Sequence, residues 1–388
     1  VDLSAGLPQD DYVKVLRQHP ENPDLLFVGM DRGLYASLDR GRSWFDLRLN
    51  LPRVSVRGIK IEPRYNDLVV GTHGVGAWIL DDIQPLVELT EAMEEDLHLF
   101  DIREATDWAS WNRDSNLGRS TFQGENPREG AYIDFWLSDR AFGEGANSAT
   151  VTITDVRGWS VRVLRDVPVR AGVNRAVWNL TWDGPEPLTG GGGGRRFGPS
   201  GPPAAPGTYS ATLSFGDGEV TKSFTLRGDP EVEISQADYE ARTEAALRAR
   251  DLTSKLNGMI NSLVAMGSQI RDLQEALPGQ GLDNESEVME AAEAAWEAIA
   301  AQEDQLRRPP PRMGYRQWPR LSEQLSFVSR GITGAQARPT EGQMQVLDEV
   351  GAAIDARAME LQALIDGPVA ALNRLLEGQP AIWSGWSG

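Results

Sequence analysis

Between Tyr12 and about Leu97 the chain is built from short apolar runs cut by turn residues, as in Asp24-Leu-Leu-Phe-Val-Gly29, Gly33-Leu-Tyr-Ala-Ser37, Val56-Arg-Gly-Ile-Lys-Ile61 and Asp67-Leu-Val-Val-Gly71. Such runs read as strands. Two units align with each other, each with a Pro turn, an Asp-led strand ending in Gly, a Gly turn and a second strand ending in Asp. A repeat of about 40 residues is the period of propeller blades. From about Leu99 to Arg227 longer strands are predicted, at 131–137, 149–154, 160–164, 174–180, 207–214 and 220–226. Alternation is clear in the second and fifth, so one face is buried and the other wet. The Asp155–Gly158 turn and the Pro-rich run from Pro202 fit an immunoglobulin-like or fibronectin-like sandwich.

The pattern changes period at Ile234. Leu252, Leu256, Met259, Leu263, Met266, Ile270, Leu273 and Leu277 step by 4 and 3, a coiled-coil-like seam. Ser235 is a good N-cap, with Asp238 three residues on and Ile234 and Tyr239 as a hydrophobic staple. Val288, Ala292, Ala295, Ile299 and Leu306 repeat the steps after a Pro278-Gly279 turn, predicting an antiparallel helical hairpin that Pro309–Pro311 ends. A short helix over 321–330 follows, then a long one capped by Thr340 and Gln343 and kinked at Gly367-Pro368. These stripes read as the core of a three-helix bundle. The fold class is therefore multidomain α+β, with a partial propeller over 1–97, a β-sandwich over 98–230, a helical bundle over 231–378 and a Trp-containing tail over 379–388.

Ser37-Leu-Asp39-Arg-Gly41-Arg-Ser-Trp44 fits the Asp-box pattern S-x-D-x-G-x-x-W. As a turn it makes physical sense: a short acceptor ties the loop amides, Gly takes positive φ, and Trp packs beneath the hairpin. Ser37, Asp39, Gly41 and Trp44 are thus structural candidates. Gly74-Val-Gly76-Ala-Trp78-Ile-Leu-Asp81-Asp82-Ile83 replaces the motif in the second unit. With Phe122-Gln-Gly124-Glu-Asn126-Pro127 and Gly130-Ala-Tyr-Ile-Asp-Phe, these segments resemble the carboxy-terminal half of bacterial sortilin-like (Vps10-like, BNR-repeat) propeller proteins, often labelled glycosyl hydrolases. The resemblance covers nearly the whole chain and implies a secreted protein with further blades ahead of this point. The first residue, Val rather than Met, fits a longer or processed product that has lost a signal peptide. Two blades do not close a propeller, so sheet edges await a partner or absent blades.

Composition narrows the function. The 388 residues carry a net charge of −19, and a chain so acidic, with no basic face evident, repels nucleic acid. No apolar run approaches the roughly 18 residues of a membrane span. Zero Cys and three His (His19, His73, His98) remove thiol chemistry and multi-histidine metal sites. No calcium loop of the form D-x-[DN]-x-[DN]-G occurs, so no metal or cofactor is assigned.

Glycan hydrolysis needs two carboxylates facing across a cleft. Asp81 and Asp82, read as strand neighbours, point to opposite faces, and Glu91, Glu94, Glu95 and Asp96 form only a loose acidic run. His73 sits in a hairpin turn where a structural role suffices. The Gly190–Gly194 run before Arg195-Arg196 lacks the phosphate-loop lysine and reads as a flexible loop. Tyr132 and Trp136 would serve carbohydrate only if exposed in a row, and their strand places them in the core with most sandwich tryptophans. Trp383 and Trp386, beyond the last helix, are the candidate partner-binding residues, either docking on a partner or folding back on the bundle.

The expectation is a non-catalytic, extracytoplasmic interaction or scaffold module. It would be an accessory protein-binding subunit, peripheral to a larger envelope or membrane complex such as a respiratory or photosynthetic one. The alternative is the carboxy-terminal fragment of a secreted propeller hydrolase, acting on glycans or peptides with its active site in absent blades.

Overall fold

The computed structural model describes residues 2–109, 124–142, 147–189, 201–278, 284–309, 317–376 and 381–386. The chain divides into two compact units, one formed by 1–180 with 206–229 and the other by 181–205 with 230–388. Trp111, Phe122, the 190–196 loop, Gly279, Pro310 and Pro311 lie outside the described residues.

The first unit opens with two antiparallel meanders. One carries β1 (Val13–Gln18), β2 (Leu26–Met30), β3 (Leu34–Ser37) and β4 (Phe45–Asp46) in sequential order; the other carries β5 (Val56–Glu62), β6 (Asp67–Thr72) and β7 (Ala77–Leu80). Leu25, Phe27, Ala36, Val56, Ile59, Leu68 and Val70 form their shared core. Two helical turns, α1 (Gln84–Val87) and α2 (Leu89–Ala92), lead to β8 (Leu97–Leu99) and β9 (Ala105–Asp107).

Six longer strands lie at or near the expected positions: β10 (Ala131–Leu137), β11 (Ser148–Asp155), β12 (Ser160–Pro168), β13 (Gly172–Trp178, expected over 174–180), β14 (Gly207–Phe215) and β15 (Gly218–Gly228). They form two sheets, β13-β10-β8 and β12-β11-β14-β15-β9, the last pair parallel. Trp178 of one sheet meets Tyr209 and Phe224 of the other at ring-centroid distances of 5.1 and 5.9 Å, so the sheets stack face to face. Ala149, Val151 and Ile153 of β11 and Tyr209, Ala211 and Leu213 of β14 point inward while their neighbours stay partly wet, the period of two that a half-buried sheet requires. Not every tryptophan here is core: Trp159 is exposed, with the Arg157 guanidinium 4.2 Å over its ring, and Trp108 is partly exposed.

The second unit is helical: α3 (Gln236–Ala276), α4 (Glu285–Leu306), α5 (Leu321–Thr333), α6 (Glu341–Leu364) and α7 (Ala370–Leu375). Ser235 caps α3, its hydroxyl accepting from the Asp238 amide at 3.2 Å, and Thr340 with Gln343 forms a reciprocal capping box on α6. At about 1.5 Å per residue α3 is about 60 Å long. Three ion pairs join it to α6 and its lead-in, Asp238–Arg338, Arg248–Asp348 and Lys255–Asp355. A constant separation of 100 residues means that the two helices run parallel and in register. α4 and α5 both pack on α3 and on α6, so the bundle has three columns, one of them broken between α4 and α5. A π-helical turn over Ile365–Val369 absorbs Pro368, where a proline removes one helical hydrogen bond.

Residues 181–205, expected within the sandwich, join the helices instead. The amide of Glu186 donates to Ser254 Oγ at 3.1 Å, Asn257 Nδ2 donates to the Glu186 carbonyl at 2.6 Å, and Asn261 bonds Thr189 and Pro187 at 2.8 and 3.0 Å. Ser254, Asn257 and Asn261 share one face of α3, and they pair backbone groups of a segment that has no ladder of its own.

Leu263 is fully buried in the bundle core, so Leu263→Ala should cost about 2–5 kcal/mol. Met359 is largely exposed, and Met359→Ala should stay within about 0.5 kcal/mol. Urea denaturation of the two variants, followed by far-ultraviolet circular dichroism, checks the contrast.

Candidate functional site

A cavity of about 550 Å³ in the first unit lies between the second meander and the β13-β10 sheet and is walled by Leu47, Leu80, Ile83, Pro85, Leu86, Val169 and Val173. Asp82, Asp134, Asn174 and Arg175 supply its polar lining.

Register places the central pair. Asp134 on β10 is directly opposite Arg175 on β13, and Arg175 Nε and Nη2 each donate to one Asp134 oxygen at 2.7 Å. The guanidinium also donates to the carbonyls of Asp81 and Asp82 at 3.2 Å, and it lies 4.3 Å over the Tyr132 ring. Arg103 sits on the other side, donating to the Tyr65 carbonyl at 2.6 Å and standing 3.5 Å from Asp67 and 3.6 Å from Asp82. Burial pushes the carboxyls of Asp82 and Asp134 up from their ordinary values, against the pull of the guanidinium groups. Asp81 is also raised, by burial and then by the charge of Asp67.

The structure changes the reading of Asp81 and Asp82. β7 ends at Leu80, and Asp82 takes a left-handed conformation with φ +52°, so the two do not alternate as strand neighbours. That turn carries the Asp82 carboxylate inward, where only 4 % of its side chain is exposed. Arg103, Asp134 and Arg175 are invisible as a group in the sequence, since they lie on separate segments. The cross-strand register that joins Asp134 to Arg175 follows only once β10 and β13 are paired. Tyr132 is buried beneath the arginines and Trp136 is half-buried, so they form no exposed aromatic row.

The remaining sequence candidates fall elsewhere. Ser37 Oγ, fully buried, accepts from the amides of Gly41 and Asp39 at 2.8 and 3.3 Å and donates to Asp39 Oδ1 at 2.8 Å. Asp39 accepts from the Ser43 amide and hydroxyl at 2.9 and 2.6 Å, Gly41 has φ +83°, and Trp44 Nε1 donates to the Leu3 carbonyl at 2.8 Å. His73 is exposed in the turn before β7. His19 accepts at Nδ1 from the amides of Glu21 and Asn22, which makes Nε2 the protonated nitrogen facing Asn66. His98 lies between Glu95 and Glu88 at 3.0 and 3.4 Å. Asp96 is tied to Ser138 and Arg140. Among the described residues no group of acids and histidines has the geometry to hold a metal, and no helix is long and apolar enough to cross a membrane.

The tail returns to the bundle. Asn373 exchanges bonds with both backbone groups of Ile382, Gln269 does the same with Trp383, and Ser262 Oγ donates to the Ser384 carbonyl at 2.6 Å. Trp386 lies against Gly258, where a Cβ would stand 3.2 Å from its ring. Trp383, held by its backbone, leaves 75 % of its surface open. Trp318 and Phe327, which periodicity does not single out, are 85 % and 75 % exposed on the same unit.

On the first unit, among the described residues, β1 and β5 are each paired as strands on one side; the two pack against each other, Arg17 of β1 donating to the Ile59 carbonyl of β5 at 2.9 Å. Tyr12, Val13 and Leu16 are exposed there, together with Lys14, Arg17, Arg57 and Lys60. Of these cations Lys14 is paired with Asp31 at 2.9 Å.

Two predictions follow from these bonds. Arg175→Met leaves buried Asp134 without its counter-charge and should cost about 3–5 kcal/mol, measured on the unfolding of the first unit. Asp39 is held at about 2, first by the Ser43 hydroxyl. A folded value below the unfolded 3.8 means stabilisation complete above about pH 4 and lost as pH falls toward 2. In Asp39→Asn that acid-dependent loss should vanish, so wild type and variant should converge in thermal midpoint over this window.

No family model matches the chain, and no curated protein matches it. Among solved structures it is similar to the extracellular domain of a putative hybrid two-component system from B. thetaiotaomicron, at 12 % identity and a TM-score of 0.16, over 58 % of this chain and 26 % of that one. The chain spans about a quarter of the length of that structure, and a likeness at this score carries no argument about fold or activity.

Proposed function

We propose that this protein is a non-catalytic, extracytoplasmic protein-interaction module, an accessory subunit peripheral to a larger envelope or membrane complex. The observation that supports the reading is the exposed apolar group of Tyr12, Val13 and Leu16 at β1, a strand that among the described residues is paired only with β2. Unpaired backbone groups on an edge accept another strand, and the cations beside them disfavour pairing with a like edge while favouring an acidic partner segment. In this reading the two meanders are propeller blades and the stacked sheets an immunoglobulin-like spacer. The turn built on Ser37, Asp39, Gly41 and Trp44 is an Asp-box serving the fold. Its extracytoplasmic setting rests on the resemblance to secreted sortilin-like proteins. Trp383 and Trp318 offer a second set of contacts, since exposed tryptophan is a favoured anchor in interfaces.

The test is the native particle, purified from membrane and soluble fractions in mild detergent and weighed intact. The reading expects this chain within a larger assembly, and a Leu16→Asp variant should be depleted from that assembly by at least about tenfold. Recovery of a free monomer alone would overturn it. Recovery as one segment of a longer soluble polypeptide with hydrolase activity would replace it with the propeller-hydrolase alternative.

A further inference from the structure

The two aspartates that line the cavity between the second meander and the β13-β10 sheet are unequally paired. Asp134 is neutralised by the bidentate Arg175 pair. Asp82 is not: its Oδ1 accepts the Gln84 amide at 3.2 Å, and its Oδ2 has only Arg103 Nε at 3.6 Å, beyond hydrogen-bond reach. Arg103 is itself shared with Asp67 at 3.5 Å and spends a donor on the Tyr65 carbonyl. Of the acids near these guanidinium groups, only Asp82 and Asp134 line the cavity, beside Arg175. Asp82 Oδ2 thus has an ion-pair partner but no hydrogen-bond donor in reach, and Asp82 lines a cavity of about 550 Å³. That volume is within the range of small-molecule sites. The remaining charged lining residue, Arg170, is exposed, where solvent screens it. Two non-glycine residues of the lining, Leu49 and Asp82, hold left-handed backbone at φ +48° and +52°, a conformation that concentrates at ligand sites.

We propose that this cavity binds a small organic cation, its ammonium group donating to Asp82 Oδ2 and its apolar body packing on Leu80, Ile83, Leu86 and Val173. An ammonium supplies the donor that Asp82 Oδ2 lacks, and the apolar walls take an alkyl or aryl body of about six to ten carbons. A carboxylate of the same body would face Asp82 and Asp134 and be repelled. The inference is independent of the interaction-module reading, since it concerns a pocket away from the β1 edge.

Isothermal titration calorimetry of the whole chain with hexylamine, phenethylamine, hexanoate and hexanol tests it. Saturable binding of the amines is expected, with hexanoate and hexanol at least about tenfold weaker. Asp82→Asn should weaken amine binding by a similar factor, and Val173→Phe, which leaves every charge in place, should abolish it by filling the cavity. If either variant unfolds, the comparison of amine with carboxylate on wild type still decides. Equal or tighter binding of hexanoate, amine binding indifferent to both variants, or no amine binding at millimolar concentration would overturn the proposal.

Discussion

The first unit depends on one guanidinium. Arg175 is a β-strand residue whose cross-strand partner is a buried aspartate, while about a third of the arginine side chain itself stays open to solvent. By extending to the carbonyls at Asp81 and Asp82, it also satisfies the end of β7, a point where the chain leaves its ladder and would otherwise bury unpaired acceptors. A single side chain therefore neutralises a charge, completes a strand terminus and stacks on Tyr132. Arginine does all three because its donors form a rigid planar fork; a lysine has one point charge and no plane.

How much of this was legible in the sequence depends on the range of each interaction. Local periodicity located all six long strands, the caps at Ser235 and Thr340, and the buried stripe from Leu256 to Ile270, because each is set by neighbours within one or two turns. The turn from Ser37 to Trp44 was legible for the same reason, its bonds spanning at most four residues except for the Trp44 indole bond to Leu3. The Asp82 cavity was not. It needs a left-handed aspartate, which no pattern marks, and a partner set drawn from positions 67, 103, 134 and 175.

The bundle shows the same division. The hairpin of α3 and α4 follows from matching stripes across a turn, whereas the parallel register of α3 with α6 rests on ion pairs separated by 100 residues. Those pairs are largely exposed and contribute little energy individually. Their use is to record a register that buried Leu256, Leu263, Leu347 and Ile354 enforce.

The excursion of residues 181–205 into the helical unit makes both units discontinuous in sequence. During synthesis the five-stranded sheet waits for β14 and β15, and the segment that bonds Ser254, Asn257 and Asn261 is made well before the helix it meets. Neither unit is a contiguous cassette. Shuffling this protein by recombination at a single point near residue 230 would leave α3 with a row of amide side chains and nothing to bind, so the two units are bound to be inherited together.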